Sequence, residues 1–275
     1  MKEHILVIGG TGKTGRKVAD KLLSLGHSVR IGSRSVTPSF NWDQPENWVN
    51  VMQGMDKVYI TFQPDLAVPG ALEAIETLVK TAKKCAVKKL VLLSGKGERE
   101  AELCEQVVIH SGIAYTIIRA SWFNQNFSES FFLGPILEGD VALPQGNVKI
   151  PFVDTDDIAA VAVEALLKEK HDGKIYQLTG NKGYTFKEVV ASIATATNRN
   201  IVFTPISLVA YSQAMKQQGV PENFIWLVAY LFREVLGNLN NAEITNDIEK
   251  VLGRKAITFS DYVQKTTNSG IWNPQ

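Results

Sequence analysis

Residues 4–15, His-Ile-Leu-Val-Ile-Gly-Gly-Thr-Gly-Lys-Thr-Gly, restrict the fold more than any other stretch of the chain. Ile5 to Ile8 is a short apolar run with the character of a strand buried on both faces, and the segment Arg16 to Leu25 beyond it is amphipathic. Between them stand glycines at two overlapping spacings: Gly10, Gly12 and Gly15 fit G-x-G-x-x-G, while Gly9, Gly12 and Gly15 fit G-x-x-G-x-x-G. Such a strand-turn-helix needs glycine for the tight turn, for close approach of backbone to a pyrophosphate and for packing of helix on strand. The first N–H groups of the helix then face the anion. Gly9, Thr11, Gly12, Lys13, Thr14 and Gly15 are therefore expected to cradle the pyrophosphate of a dinucleotide. Gly12-Lys13-Thr14 also resembles the end of a triphosphate loop, but G-x-x-x-x-G-K-[ST] requires glycine where Val7 stands. Nor does any apolar strand end in a magnesium-binding aspartate of the Walker-B kind.

A second β-type run, Ser28 to Ile31, ends in Gly32-Ser33-Arg34-Ser35. Where a dinucleotide site takes NAD, an acidic residue about 20 positions past the glycines accepts the ribose 2′-hydroxyl. Arg34 occupies that offset here. A guanidinium fork suits a 2′-phosphate dianion, which a carboxylate would repel. Ser33 and Arg34 are thus expected on the 2′-phosphate, with Lys13 adding a second positive charge, and NADP(H) is expected in preference to NAD(H).

The rest of the first half alternates. Lys57 to Phe62 reads as a buried strand, Pro69 to Cys85 as a helix, Lys89 to Ser94 as a strand, Glu98 to Ser111 as a helix and Ala114 to Ile118 as a strand. Alternating strands and helices imply a doubly wound parallel α/β sheet, with ligands at the carboxyl ends of the strands. Those ends carry Thr61-Phe62-Gln63, Ser94-Gly95-Lys96 and Ala120-Ser121-Trp122-Phe123. After Trp122 the pattern changes to clustered aromatics, short strands within Leu143 to Val153, a helix from Asp154 to Leu167 and a strand from Lys174 to Leu178. Thr185 with Glu188 forms a capping box for a further helix, and mostly helical segments follow from Ser207. Residues 1–155 are read as the dinucleotide-binding domain, its sheet completed by 174–179. Residues 156–275 are read as a smaller, mostly helical substrate lobe interleaved with the sheet, and a cleft between the two is the default substrate site.

Composition narrows the partners. A net charge of +1 over 275 residues gives no field that attracts nucleic acid or an acidic membrane. No run approaches the ~20 apolar residues of a membrane span, and the chain enters its first strand without a signal-peptide pattern. A cytoplasmic protein is expected, with a small-molecule partner, no nucleic acid and no membrane; monomer and homodimer both remain open. Cys85 and Cys104 are too few for a disulfide framework, and His4, His27, His110 and His171 show no metal-ligand spacing, so no metal is expected.

The motifs in order carry a family likeness. Gly9 to Gly15, Leu93-Ser94-Gly95, Ser111-Gly112, Thr116 to Phe127, Pro151-Phe-Val-Asp154 with Asp157-Ile158-Ala159, Leu178-Thr179-Gly180 and Thr185-Phe186 resemble the NmrA-like branch of the atypical short-chain dehydrogenases/reductases. Gly10 to Gly15 and Arg119 to Ser130 are similar to the festuclavine and agroclavine dehydrogenases and to bacterial NAD(P)H-dependent quinone reductases. The resemblance spans nearly the whole chain. It implies a Rossmann-type domain binding NAD(P)H, a small C-terminal lobe over the substrate, and either a reductase or a cofactor-sensing regulator without turnover. It also implies that Thr61, Phe62 and Gln63 line the adenosine or ribose side, that Ser94, Gly95 and Lys96 approach the nicotinamide, and that Ala120, Ser121, Trp122 and Phe123 border nicotinamide and substrate.

The acid of most short-chain dehydrogenases is a tyrosine four residues before a lysine. The likeness puts those positions at Gly97 and Ala101, so both groups are missing. A ketone needs such a group, worth roughly 10²–10⁴ in rate, whereas a preformed iminium ion needs hydride alone and a quinone can take its proton from water afterward, so that proximity and orientation carry most of the acceleration. The expected activity is NADP(H)-dependent hydride transfer to an activated small-molecule acceptor, with Lys96 and Trp122 as candidate catalytic, positioning residues. Glu105 and Asp157 are read as structural carboxylates and Cys104 as a buried inert thiol.

Overall fold

A computed structural model of the chain describes residues 3–274. Its elements begin with β1 (His4–Ile8), α1 (Gly15–Ser24), β2 (Ser28–Gly32), α2 (Trp48–Met52), β3 (Lys57–Ile60), α3 (Ala71–Lys84), β4 (Lys89–Gly95), α4 (Arg99–Ile109) and β5 (Ala114–Ala120). They continue with α5 (Leu133–Glu138), β6 (Asp140–Leu143), α6 (Thr155–Leu167), β7 (Lys174–Leu178), α7 (Phe186–Thr197), β8 (Val202–Pro205), α8 (Leu208–Gln217), α9 (Glu222–Tyr230), α10 (Asp247–Leu252) and α11 (Phe259–Asn268).

The chain divides into two compact units, and it passes between them more than once. One holds the chain up to Ala120 together with Thr155–Leu178 and Asp247–Arg254; the other holds Ser121–Asp154, Thr179–Asn246 and the chain from Lys255 onward. The sequence-based division at residue 155 follows the chain, whereas compactness places 121–154 in the second unit and α6, β7 and α10 in the first.

In the first unit six strands pair in parallel, in the order β2-β1-β3-β4-β5-β7. This is the Rossmann-type doubly wound sheet expected from the alternation. The strands are apolar on both faces because both are covered. Leu6, Ile8, Val58, Ile60, Leu90, Leu92 and Ile117 bury one face against α2, α3 and α4. Tyr59 lies between Val58 and Ile60, so it points to the other face, where α1 packs on α6. Lys17 of α1 ties that layer, its Nζ 2.7 Å from Thr155 Oγ1 and 2.8 Å from Asp156 Oδ1. Four strand ends differ from expectation, β2 and β4 by one residue each, at Gly32 and Gly95, and β3 and β5 by two. β3 stops at Ile60, and the next residue, Thr61, donates its hydroxyl to the Ile8 carbonyl at 3.1 Å. β5 runs on to Ala120, whose partner across the ladder is Gly95.

The second unit is built on an aromatic core of Phe127, Phe132, Phe152, Phe186, Phe232 and Phe259. Trp272 joins it fully buried, with its indole N–H donating to the Phe127 carbonyl at 2.8 Å. β6 and β8 pair in parallel, an element the sequence reading lacks. Between Leu143 and Val153 the expected short strands reduce to isolated bridges, Ile150 with Tyr184 and Val153 with Phe123. The Thr185–Glu188 capping box is present: Glu188 N–H donates to Thr185 Oγ1 at 3.1 Å and Thr185 N–H to Glu188 Oε2 at 2.7 Å.

Candidate cofactor-binding site

The strand order turns back on itself at β1, which sends the chain out to β2 and then receives β3 on its other edge. Ligands of open α/β sheets bind at such a switch point, outside the carboxyl ends of the strands. The glycine turn occupies it. Gly9 adopts φ +72°, and a Cβ there would overlap the Thr61 hydroxyl. A Cβ on Gly15 would overlap the Gly9 carbonyl, so the first residue of α1 can lie on the turn only as glycine. Gly12 closes the turn with its N–H on the Gly9 carbonyl at 2.8 Å, and the Gln63 amide lies beside it. The structure thus brings Gly9, Gly12, Gly15, Thr61 and Gln63 together.

What the start of α1 leaves unused matters as much. Thr14 is the residue before the helix and of a type that normally caps it, yet its side chain makes no cap bond. Its hydroxyl instead receives the Tyr59 hydroxyl at 3.1 Å. The first turn of α1 carries no acidic side chain either. The start of the helix therefore directs the positive end of its dipole, with no acidic side chain to offset it, at the glycine turn, which fits a pyrophosphate. Tyr59 is a neighbour of the glycine turn that sequence reasoning missed. Burial raises its pKa, so it is a neutral donor.

At the end of β2 Ser33 is buried, and its hydroxyl is 2.9 Å from that of Ser35 and accepts the Ser35 N–H at 3.1 Å. This turn sets Arg34 between the two serines with its side chain exposed. Phe62 packs on Trp42, ring centroids 4.5 Å apart, and is half-buried. Lys96 is buried rather than solvated, and its N–H donates to the Ala120 carbonyl at 2.9 Å, joining the ends of β4 and β5. Ser94 is buried and donates its hydroxyl to Glu105 at 2.6 Å. In the second unit, Ser121 is buried, and Trp122 and Phe123 are half-buried. Trp122 packs among Phe132, Phe186 and Phe232, its carbonyl accepting the Val153 N–H at 2.9 Å.

Glu105 and Asp157 do not form a pair. Glu105 belongs to α4 and Asp157 to α6, which cover opposite faces of the sheet. Each is fully buried with its own arginine, Arg119 and Arg254 respectively. Cys104 is buried against the Leu66 carbonyl, and desolvation, followed by the charges of Glu105 and Glu73, pushes its thiol up to about 12. It is an inert thiol. Among the described residues no group of three histidine, cysteine or acidic side chains could hold a metal, and no helix is long and apolar enough to cross a membrane.

Residues 9–169, which contain the glycine turn and the parallel strands from β2 to β5, match the family model described as NAD(P)H-binding. The chain belongs to that NAD(P)H-binding family. It is 30% identical to the NAD(P)H azoreductase of Xenophilus azovorans, over 94% of this chain and 96% of the relative. It is 26% identical to the agroclavine dehydrogenase of Claviceps fusiformis, over 98% of each. The NADPH-dependent quinone oxidoreductase QOR2 of Escherichia coli, solved with NADPH, superposes with a TM-score of 0.76 at 20% identity, covering 96% of this chain and 100% of that one. The NmrA-like, atypical short-chain dehydrogenase/reductase likeness holds across both kinds of comparison, and the chain is an NAD(P)H-dependent reductase.

Proposed function

We propose that the protein is an NADPH-preferring reductase that passes hydride to an activated small-molecule acceptor, a quinone, an iminium ion or a similarly electron-poor double bond. The observation that carries the reading is the pairing of an uncapped, acid-free α1 N-terminus over the glycine turn with Arg34 at the end of β2. NADPH supplies the hydride when bound. The glycine turn and α1 hold the pyrophosphate, while Ser33 and Arg34 take the 2′-phosphate with Lys13 as a second positive charge. Thr61, Phe62 and Gln63 line the ribose and adenosine side. Ser94, Gly95, Lys96 and Ala120 border the nicotinamide; Ser121, Trp122 and Phe123 orient the acceptor. No tyrosine of the chain is followed four residues on by lysine, so a ketone lacks the usual acid, whereas an acceptor already short of electrons is served by orientation. The azo bond named for the Xenophilus relative belongs to the same electron-poor class.

Steady-state oxidation of NADPH and NADH with a panel of quinones, cyclic iminium ions, azo dyes, aldehydes and ketones tests the reading. Turnover with the electron-poor acceptors and a preference for NADPH are expected. Preference for simple ketones would overturn it, and cofactor binding that distinguishes NADP⁺ from NADPH without turnover would replace it with a sensing role.

A further inference from the structure

Two carboxyl groups meet at the carboxyl ends of β3 and β4, beside the strand end read above as the nicotinamide side. Asp65 lies in the segment between β3 and α3, and Glu98 immediately precedes α4. The two side chains are hydrogen-bonded to each other. Glu98 is only 7% exposed, and its carboxyl lies against Gly95, where a Cβ would overlap it. Among the described residues no N–H or hydroxyl donor reaches Glu98 Oε2. An ionised carboxylate in that place would be uncompensated; a protonated one has a partner in Asp65. Asp65 is half-buried and is the natural acceptor, because the Ala67 N–H already donates to its Oδ1 at 2.8 Å.

The charges around the pair hold the proton in the same place. Burial is the largest influence raising the Glu98 pKa, followed by the charge of Asp65 and those of Glu100 and Glu105 on α4. Glu73 of α3 adds a further negative charge beside Cys104, which also feels Asp65. Among the basic side chains, Arg119 is engaged by Glu105 and Glu102, and Lys96 and Arg99 flank Glu98 in the sequence. Two carboxyls in hydrogen-bond contact share one proton rather than ionise together.

We propose that Glu98, backed by Asp65, is the acid that completes reduction of acceptors requiring a proton as well as hydride. The assignment rests on the reductase reading above. With a quinone, the hydride brings two electrons and one hydrogen nucleus to one oxygen. The Glu98 O–H bond breaks, its proton forms the O–H bond on the remaining oxygen anion, and the bonding electrons stay on the Glu98 carboxylate. Solvent returns a proton through Asp65, the more exposed of the two. A cationic carbon acceptor becomes neutral on gaining hydride and takes no proton.

The test compares p-benzoquinone with the N-methylacridinium cation, using NADPH and the unsubstituted, Glu98→Gln and Asp65→Asn proteins. The quinone-to-acridinium ratio of kcat is expected to fall about 10²-fold in Glu98→Gln, the lower range for a general acid. In Asp65→Asn the alkaline limb of the quinone profile should move to lower pH, since Glu98 loses the negative neighbour that keeps it protonated. Infrared spectra of the cofactor-free protein at neutral pH should show a protonated-carboxyl C=O stretch that Glu98→Gln removes. An unchanged ratio, or absence of that band, overturns the assignment while leaving the reductase reading standing. Failure of the unsubstituted protein to oxidise NADPH with either acceptor overturns the reductase reading and this assignment with it.

Discussion

Arg119 grips Glu105 with two nitrogens: Nε lies 3.0 Å from both carboxylate oxygens and Nη2 lies 2.6 Å from Oε2. The acid is wholly buried, whereas the arginine side chain keeps 19% of its surface and also reaches Glu102 at 3.4 Å. The pair spans α4 and β5, and through Oε1 it also receives the Ser94 hydroxyl from β4. One buried carboxylate therefore aligns the ends of two adjacent strands that carry proposed nicotinamide contacts.

The two members of this pair should differ in what their loss costs. Arg119→Met strands a fully buried carboxylate with only the Ser94 hydroxyl, and a broken buried ion pair costs about 3–5 kcal/mol. Glu105→Gln leaves an arginine that retains Glu102 and solvent, so it should cost distinctly less. Urea unfolding midpoints at constant m-value measure both; equal losses would show that the burial asymmetry has no energetic consequence.

Gly15→Ala places a methyl group on the Gly9 carbonyl oxygen. The turn has to open, which misplaces the N–H groups of α1 while the sheet beneath is untouched. Affinity for NADPH is expected to fall by at least about tenfold, ~1.4 kcal/mol, with a smaller change in unfolding midpoint. Calorimetric titration of the two proteins reads the first, and undiminished affinity would place the pyrophosphate elsewhere.

Arg34→Asp should separate the two cofactors. A hydrogen bond to a charged group contributes on the order of 1.5–3 kcal/mol, so NADPH binding should weaken roughly 10- to 150-fold. NADH, which has no 2′-phosphate, should be held as well or better, since the new carboxylate can accept from its ribose hydroxyl. Equal losses for both cofactors would remove Arg34 from the site.

The doubly wound sheet is legible in the sequence because a parallel strand covered on both faces must be apolar throughout, and the helices between such strands must be amphipathic. The glycine turn is legible for a related reason: Gly9 and Gly15 answer local backbone contacts that only glycine tolerates. The missed elements lack any such local signature. β8 is four residues long, ends in Pro205 and is largely exposed, so neither apolar character nor alternation marks it. Tyr59 meets Thr14 across 45 positions of sequence, and Asp65 meets Glu98 only because β3 and β4 are neighbours in the sheet. The passage of the chain between units at Ala120 and Asp154 is likewise set by which core each segment completes, with no linker composition to announce it.

His171 gives the first unit a stability that depends on pH. It is almost completely buried, its Nδ1 lies 2.8 Å from the Tyr176 hydroxyl, and its carbonyl accepts the Thr116 hydroxyl at 2.7 Å. Burial, then the charge of Lys170, depress its pKa below the ordinary 6.5, with Lys89 and Lys168 acting in the same direction and Glu164 opposing them. The folded chain therefore holds this imidazole neutral where the unfolded chain binds a proton. Stability contributed by the neutral form is complete above the unfolded pKa and is lost as pH falls from there through the folded pKa. One proton sets a slope of at most about 1.4 kcal/mol per pH unit. His171→Asn keeps a polar group near Tyr176 but cannot titrate, so the drop in unfolding midpoint between about pH 7.5 and about pH 5 should shrink relative to the unsubstituted protein. The same drop in both proteins would assign the acid sensitivity to the carboxylates instead.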